Sequence, residues 1–290
     1  MKQFFKYVFP GLLLISIIAA CEKEYDSIET IDDKNVTAYI QANKLNMVEY
    51  QDTGIYYEVT NPGSGVNVEY SDQLPLIFTV KSLDGKFASL DTFSSFNRYY
   101  NYLGYFTPEG VRLGIKEVLK KKSGVIRMII PSRAAFGRNG AGGIPGNASL
   151  DFTVKVLDKN KLAAYENFTI QKYIAANALT GFTKTASGLY YKIDVPGSGS
   201  PISIDSTVVA EYEGKLINGT VFDKTNTGSP ATLGLLNVVK GWQEAVPLIK
   251  EGGTIRMILP SSLGYGLQGT DGIPAFSALF FSVKVTEVRQ

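Results

Sequence analysis

The chain of 290 residues has no histidine and a single cysteine. Without histidine there is no imidazole base for a catalytic triad and no imidazole ligand for a metal ion. One cysteine cannot build a disulfide framework, and it leaves zinc without its usual set of ligands. We therefore expect no metal and no other cofactor.

The sequence also lacks an excess of either charge. It contains 29 basic and 27 acidic residues, and loss of the first twenty residues, with Lys2 and Lys6, would leave 27 of each. A balanced charge provides no general attraction to nucleic acid or to an anionic membrane surface. We therefore expect no nucleic acid among the partners.

The apolar run Val8 to Ala20 is shorter than the ~20 residues that span a bilayer. Preceded by Lys2 and Lys6, it is typical of a secretory signal peptide over residues 1–20. Its end, Ile18-Ala19-Ala20-Cys21, resembles the lipobox of bacterial lipoproteins. The resemblance implies cleavage before Cys21, a lipid on that cysteine, and an exported protein anchored to a bacterial membrane. The outer membrane is expected, with the protein facing the periplasm or the surface. A plain signal peptide with an incidental cysteine is the alternative.

Residues 21–35 follow with six acidic side chains and few large apolar ones. Such a segment cannot bury a core of its own, so we predict a flexible linker there. It would tether the folded part of the chain to the lipid.

The rest of the chain contains a duplication. Three segments recur in the same order, which indicates a tandem of two similar domains rather than a solenoid of short repeats. We place the first domain at residues 36–158, a helical connector at 159–186 and the second domain at 187–290. The recurring segments are YIQAN and YIAAN (Tyr39–Asn43, Tyr173–Asn177), TGIYYEVTNPGSG and SGLYYKIDVPGSG (Thr53–Gly65, Ser187–Gly199), and GVIRMIIPS and GTIRMILPS (Gly124–Ser132, Gly253–Ser261).

The pattern of the second domain predicts a twisted antiparallel sheet with one short helix. Apolar residues alternate from Val208 to Tyr212 and from Leu279 to Val285, and Asn218–Thr220 is typical of a hairpin turn. The segment Gly241–Lys250 carries apolar residues at helical spacing, which predicts one apolar face toward the sheet. We therefore expect an α+β fold with a small aromatic core.

Eight motifs stand in order along this domain: Tyr212-Glu213-Gly214, Gly219, Phe222-Asp223, Val238-Val239, Gly241-Trp242, Tyr265-Gly266, Gly272-Ile273-Pro274 and Phe281. Together they resemble the FKBP-type peptidyl-prolyl cis-trans isomerases over nearly all of residues 187–290. The resemblance implies two FKBP-like domains, each a twisted antiparallel sheet wrapped around one short helix. It also implies isomerisation of X-Pro bonds in proline-containing polypeptide substrates, in a role that assists the folding of exported proteins.

The resemblance further implies an apolar cup with Trp242 as the floor beneath the proline ring. The walls would be Tyr212, Phe222, Val238, Val239 and Phe281. Each of these side chains taken alone could be an ordinary part of the core, and their shared order favours the cup.

The polar groups of the cup follow from the same resemblance. The Tyr265 hydroxyl would donate to a substrate carbonyl, and the backbone N–H of Val239 would bind the chain beside it. Asp223 would bond at the rim and orient the nearby tyrosine, while Ile273 would close the far side. Two positions depart from the family pattern and put affinity for macrolides in doubt: Ala231 and Thr270.

The first copy keeps the apolar frame of the cup and loses its polar groups. The offset between the copies pairs Tyr212 with Phe78, Phe222 with Ala88, Asp223 with Ser89, Tyr265 with Phe136 and Phe281 with Phe152. A gap of uncertain position pairs Trp242 with either Ile115 or Leu113. We predict that the first domain is degenerate and catalytically silent.

The aromatic segment Arg98–Phe106, RYYNYLGYF, lies where the first copy is longer than the second. Exposed tyrosines there would suit the binding of an unfolded client or a partner protein. The alternative is that these rings fill the vacated cup from inside.

Two functions are compatible with this sequence. The first is an anchored prolyl isomerase, which is favoured by the nearly complete site at Tyr212, Asp223, Trp242 and Tyr265. The second is a non-catalytic FKBP-like binding protein, chaperone or scaffold lipoprotein. Capture of a small ligand in the apolar cup remains a third possibility.

Overall fold

The computed structural model describes residues 26–90 and 97–289. The predicted signal peptide and the predicted lipidation site at Cys21 lie outside these residues. Within the described part of the chain, no helix is both long and apolar enough to cross a membrane.

The described residues form two units, each with a seven-stranded sheet and two α-helices. The first unit contains α1 (Ile28–Ala42), β1 (Val48–Glu49), β2 (Tyr56–Asn61), β3 (Ser64–Asn67), β4 (Gln73–Ser82), β5 (Ala88–Ser89), β6 (Arg98–Tyr102), α2 (Glu109–Leu113), β7 (Lys121–Lys122), β8 (Val125–Ile130) and β9 (Leu150–Val156). The second contains α3 (Leu162–Ala176), β10 (Thr183–Lys184), β11 (Tyr190–Val195), β12 (Thr207–Leu216), β13 (Val221–Lys224), β14 (Ala231–Gly234), α4 (Lys240–Ala245), β15 (Thr254–Leu259) and β16 (Leu279–Arg289).

The two sheets have the same strand order. The first runs β1-β2-β8-β9-β4-β5, with β6 also paired to β4. The second runs β10-β11-β15-β16-β12-β13, with β14 also paired to β12. Because the strands correspond one to one, the duplicated sequence folds in the same way twice. The predicted α+β class is confirmed, and the pair β3–β7 is an addition of the first unit.

The alternation of apolar residues in the second unit predicted correctly which face of its sheet is buried in the core. Leu279, Phe281, Val283 and Val285 on β16 are all buried on one face of the sheet. Helix α4 lies over this face and stops at Ala245, followed by a single 3-10 turn. It is shorter than the predicted helix 241–250 because a proline within the turn lacks the N–H that a continuing helix needs.

Helix α1 begins at Ile28, so the flexible linker predicted for residues 21–35 is wrong from Ile28 onward. The Ser27 side chain caps the helix by accepting a hydrogen bond from a backbone N–H of the first turn. Asp32 is buried, and its carboxylate accepts hydrogen bonds from the Ser132 and Ser149 hydroxyls at 3.0 and 3.1 Å. Acidic composition misled the prediction because this carboxylate is stabilised by partners inside the fold.

Helices α1 and α3 occupy corresponding places in the two units. In the segment predicted as a connector, 159–186, α3 packs on the second sheet, with Ile170 buried against Tyr190, Ile258 and Phe280. Helix α3 therefore packs on the second sheet along its length, and its first residue, Leu162, also lies in a cluster with Ile77 and Tyr100 of the first unit. The division of the chain at residues 158 and 187 stays a proposal.

Candidate functional site

The hairpin β12–β13 brings Tyr212 and Asp223 together. Asp223 on β13 pairs with Gly214 on β12, and Gly214 lies two residues after Tyr212 on the same strand. The Tyr212 hydroxyl donates a hydrogen bond to Asp223 Oδ2 at 2.6 Å. Two hydrogen bonds between Thr225 and Tyr212 stabilise this hairpin. The Thr225 backbone N–H donates to the Tyr212 carbonyl, and the Thr225 hydroxyl accepts from the Tyr212 N–H, both at 3.0 Å. Two of the predicted site residues are thus held side by side at the surface.

The first turn of α4 places Trp242 beneath them. Gly241 allows this helix to approach β15 closely, since a Cβ at that position would lie 2.3 Å from Leu259 Cδ2. The neighbouring Trp242 is only 3% exposed, so its ring forms an apolar floor. A residue without a side chain is therefore required for the helix to lie this close to β15.

Five aromatic rings meet in a continuous series of edge-to-face contacts. The Trp242 ring lies 5.3 Å from Tyr212 and 5.5 Å from Phe281, between ring centroids. Phe222 continues the series, at 5.6 Å from Phe281 and 6.5 Å from Tyr265. Such contacts favour one arrangement of the rings over others, which gives the cup a defined shape.

The two tyrosines at the rim remain protonated well above neutral pH. Burial and the hydrogen bond to Asp223 raise the pKa of Tyr212 to about 12. The pKa of Tyr265 is also raised, by burial first and by the Asp223 charge second. Both hydroxyls are therefore donors under physiological conditions.

The segment before α4 supplies the valine wall. Val238 and Val239 pack against the aromatic core, and the Gln243 side-chain amide donates to the Val238 carbonyl at 2.9 Å. Among the backbone acceptors of residues 26–90 and 97–289, none receives a hydrogen bond from the Val239 N–H. Gln243, for which the sequence predicted no role, thus stabilises the backbone at Val238, and the N–H of the next residue, Val239, can bind a ligand.

The last side of the cup is a loop that contains Tyr265 and Ile273. Tyr265 is 40% exposed, with its ring edge toward Phe222, and Ile273 is buried in the core. Thr270 and Ile273 exchange two backbone hydrogen bonds and close the tip of the loop. Every site residue predicted within the second domain therefore lies in or around one aromatic cup.

Gly214 is a further residue that the cup requires, although no role was predicted for it. A Cβ there would lie 2.6 Å from the Phe281 ring and 2.8 Å from the Phe222 ring. Phe222 can therefore cover Phe281 only because position 214 has no side chain. A glycine in the middle of a predicted strand is the signal that could have revealed this.

The first unit has a different residue at the position of Trp242. Gly110 approaches Ile130 in the same way that Gly241 approaches the corresponding leucine, so the next residue, Val111, takes the place of Trp242. The predicted correspondences to Ile115 or Leu113 are both wrong. The sequence could not place the gap, because the close glycine contact appears only in the fold.

Phe106 fills the space that this exchange would leave in the first unit. Its ring lies 5.6 Å from Phe78 and 6.3 Å from Phe152, the counterparts of Tyr212 and Phe281. Tyr99 adds a further edge-to-face contact at 4.8 Å. The first cup is therefore occupied by its own side chains, and Ser89 replaces the rim acid.

This arrangement divides the aromatic segment Arg98–Phe106. Tyr100 and Phe106 are buried, which excludes them from binding a client, whereas Tyr102 and Tyr105 are exposed. Client binding at this segment stays a prediction and concerns those two side chains.

The charged residues around the cup do not form a metal site. Within residues 26–90 and 97–289, no group of three or more Asp, Glu, Cys or His side chains could hold a metal ion. The cup can bind an apolar ring between aromatic walls, with hydroxyl and amide donors at its rim.

These features define a class of α+β domain that binds a small apolar group in an aromatic cup. Residues 199–286 match the family of FKBP-type peptidyl-prolyl cis-trans isomerases. The second unit is therefore an FKBP-type domain, and the first has the same topology.

Two bacterial proteins illustrate the similarity. The FKBP-type peptidyl-prolyl cis-trans isomerase FkpA of Buchnera aphidicola subsp. Schizaphis graminum is 42% identical over 113 residues, which cover 38% of this chain and 45% of that protein. The peptidyl-prolyl cis-trans isomerase Mip of Coxiella burnetii is 41% identical over 121 residues, covering 41% and 53%. The crystal structure of FkpA from Escherichia coli has a TM-score of 0.40 at 36% identity, over 45% of this chain and 62% of that one. This chain spans about half the length of the curated relatives that it matches.

Proposed function

We propose that the second unit catalyses cis–trans isomerisation of X-Pro peptide bonds and assists the folding of exported proteins. The observation that carries the proposal is the continuous series of five aromatic rings that includes Trp242, with donors at its rim, in a domain that matches this family. An uncatalysed X-Pro bond isomerises over tens to hundreds of seconds, which makes it a slow step in folding.

The reaction requires no nucleophile and no proton transfer. It requires rotation about a C–N bond with partial double-bond character, against a barrier of ~18–20 kcal/mol. The planar amide is a stronger dipole than the twisted one and loses more solvation on leaving water. A dry aromatic cup therefore favours the twisted form, and each ~1.4 kcal/mol of preference accelerates rotation tenfold. The absence of histidine is compatible with such a mechanism.

Each group of the cup has a role in this mechanism. The proline ring would lie on Trp242, and the Tyr265 hydroxyl would donate to the substrate carbonyl. The Val239 N–H would bind the neighbouring stretch of substrate. Asp223 would orient Tyr212 through the hydrogen bond between them, and Ile273 would close the cup.

Exchange NMR on a proline-containing peptide tests the proposal with the full chain. We expect the wild type to accelerate cis–trans exchange and Trp242→Leu to abolish the acceleration. Phe106→Leu is the matched control, because it replaces the aromatic ring that fills the first cup by a smaller apolar side chain and leaves the second unit unchanged. Loss of acceleration in the control variant would place the activity in the wrong unit.

The single tryptophan permits an independent measurement of binding. Trp242 is the only tryptophan in the sequence, so tryptophan fluorescence reports on the cup alone. A peptide that enters the cup should change this fluorescence. Binding of the peptide without any acceleration would favour the alternative function, a non-catalytic FKBP-like binding or scaffold protein.

We further propose that the chain is exported and anchored to a bacterial membrane through a lipid on Cys21. The support is the signal-like segment 1–20 and the lipobox-like residues before the cysteine. Metabolic labelling with palmitate should mark the wild type, and Cys21→Ser should remove the label and release the protein from the membrane fraction. An unlabelled wild type would leave only a plain signal peptide.

A further inference from the structure

The loop that carries Tyr265 and Ile273 is closed at its base by Phe276. The Phe276 N–H donates to the Gly266 carbonyl at 3.2 Å, so the position of Phe276 determines the position of the residue that follows Tyr265. A contact that holds Phe276 therefore also holds this side of the cup.

Phe276 is held by the first unit. Arg98, the first residue of β6, donates from Nη1 to the Phe276 carbonyl, and its guanidinium carbon lies 5.2 Å from the centroid of the Phe276 ring. Arg98 is 8% exposed and Phe276 is fully buried. Hydrogen bonds from a charged donor are among the stronger ones in proteins. Around them, side chains of both units form one apolar cluster: Ile77, Tyr100, Leu157, Leu162, Ala275 and Phe276.

The backbone conformation of Phe276 indicates that the contact with Arg98 is the reason for a phenylalanine at this position. Its φ is +39°, in the left-handed region that bulky side chains rarely adopt. The corresponding residue of the first unit is Asn147, with φ +56°, and asparagine tolerates this conformation well. A phenylalanine is therefore unfavourable for the local turn, and the burial of its ring beside Arg98 compensates for that cost.

The two units differ in the surroundings of a buried acid on the first helix of each unit. In the first unit, the carboxylate of Asp32 on α1 lies 3.6 Å from Arg133 of the same unit. In the second unit, the corresponding acid on α3 is Glu166, 4% exposed, and Ser262 stands at the position of Arg133. Burial raises the pKa of Glu166, and the hydrogen bond from Ser261 and then the Arg98 charge act in the opposite direction. The positive charge of Arg98 thus acts on a buried acid whose counterpart in the first unit pairs with Arg133.

We propose that Arg98 is a positioning residue for the aromatic cup, through which the first unit orders the loop that carries Tyr265 and Ile273. This inference rests on the isomerase function proposed above. It assigns a task to the unit whose own cup is filled, since that unit becomes a structural part of its neighbour's site.

Three full-length variants test this role. Arg98→Met removes the donor and the charge, and Arg98→Lys keeps a cationic donor. Arg133→Met is the matched control, because the ion pairs of Arg133 lie within the first unit. The measurements are amide hydrogen exchange in residues 264–276 and the separate values of kcat and KM for isomerisation.

We expect Arg98→Met to raise exchange in this loop roughly ten- to hundredfold, the effect of losing a hydrogen bond from a charged donor. It should also lower kcat/KM, mainly through KM, because the loop must then be ordered each time substrate binds. Arg98→Lys should recover much of both effects, and Arg133→Met should leave exchange in the loop unchanged.

Unchanged loop exchange in a folded Arg98→Met protein would overturn the proposal. If that variant does not fold, Phe276→Asn provides the test, because asparagine suits the turn but removes the ring from the cluster. Hydrogen exchange in the loop should again rise, and unchanged exchange would overturn the proposed role of Arg98. A wild type without isomerase activity would contradict the proposed function instead, and loop exchange would still test Arg98 because it requires no turnover.

Discussion

The Tyr212 hydroxyl donates a hydrogen bond of 2.6 Å to Asp223, whereas the first unit holds Phe78 and Ser89 at the corresponding positions. The two units share the strand order of their main sheets, so corresponding strands carry different side chains at these two positions. The polar pair is present in the unit that keeps the tryptophan of the cup. It is lost where the first unit's own rings occupy the cup.

The pKa of Tyr212 should respond to the charge of Asp223. Burial contributes most to the raised value of about 12, and Asp223 adds to it through the hydrogen bond and its charge. We therefore expect Asp223→Asn to lower this pKa without returning it to the ordinary value. Spectrophotometric titration of the tyrosines would measure it, with Tyr212→Phe to identify the signal. A signal that does not move in Asp223→Asn would contradict the pairing.

The Tyr265 hydroxyl should contribute to turnover. Tyr265→Phe keeps the ring and removes the donor, so we expect kcat/KM to fall about two- to tenfold, the range of one neutral hydrogen bond of ~0.5–1.5 kcal/mol. Tyr105→Phe is the control, since it removes a hydroxyl from a side chain that is 71% exposed on the first unit. Equal rates for wild type and Tyr265→Phe would remove this hydroxyl from the mechanism.

Gly214 should tolerate no side chain. In Gly214→Ala the new methyl group meets Phe281 and Phe222, and we expect a loss of ~1–3 kcal/mol in the free energy of unfolding together with lower activity. Gly234→Ala is the control, because its Cβ would meet only the flexible end of Asn237, at 3.3 Å. Chemical denaturation compares the two variants; similar stabilities would show that the rings can move apart without cost.

Phe106 should stabilise the first unit without affecting catalysis. Phe106→Ala opens a cavity between Phe78 and Phe152, and we expect a loss of ~3–5 kcal/mol in the free energy of unfolding. Under conditions where the variant stays folded, exchange NMR should report wild-type isomerisation. Reduced isomerisation in the folded variant would mean that the first cup takes part in the reaction.

Glu166 should make stability depend on pH. Its pKa in the folded protein is raised above 4.5, chiefly by burial, so the folded state binds the proton more tightly than the unfolded state. Its contribution to stability is therefore complete below about pH 4.5 and is lost as the pH rises through the raised value. Glu166→Gln should gain stability relative to wild type over that range, measured by denaturation at several pH values. A difference between the two proteins that is independent of pH would refute this assignment.

Local pattern predicted most of the second unit because its determinants lie close together in sequence. Alternation placed the core faces of the strands, and a hairpin turn between residues 216 and 221 was enough to bring Tyr212 near Asp223. The ordered motifs then indicated which side chains surround Trp242. Acidic composition was misleading at Asp32, because composition does not reveal whether a carboxylate has partners within the fold.

By itself, the sequence determined the duplication and the α+β class, because repeated segments and strand alternation are local properties; the residues of the cup followed from the resemblance of the ordered motifs to a known family. Only the tertiary structure decided that Val111 stands in place of Trp242 and that Phe106 fills the gap. It alone decided that Arg98 reaches Phe276 in the other unit. The physical reason is packing: which side chain occupies a volume, or meets a distant carbonyl, depends on neighbours brought together by the sheets and not on any spacing along the chain.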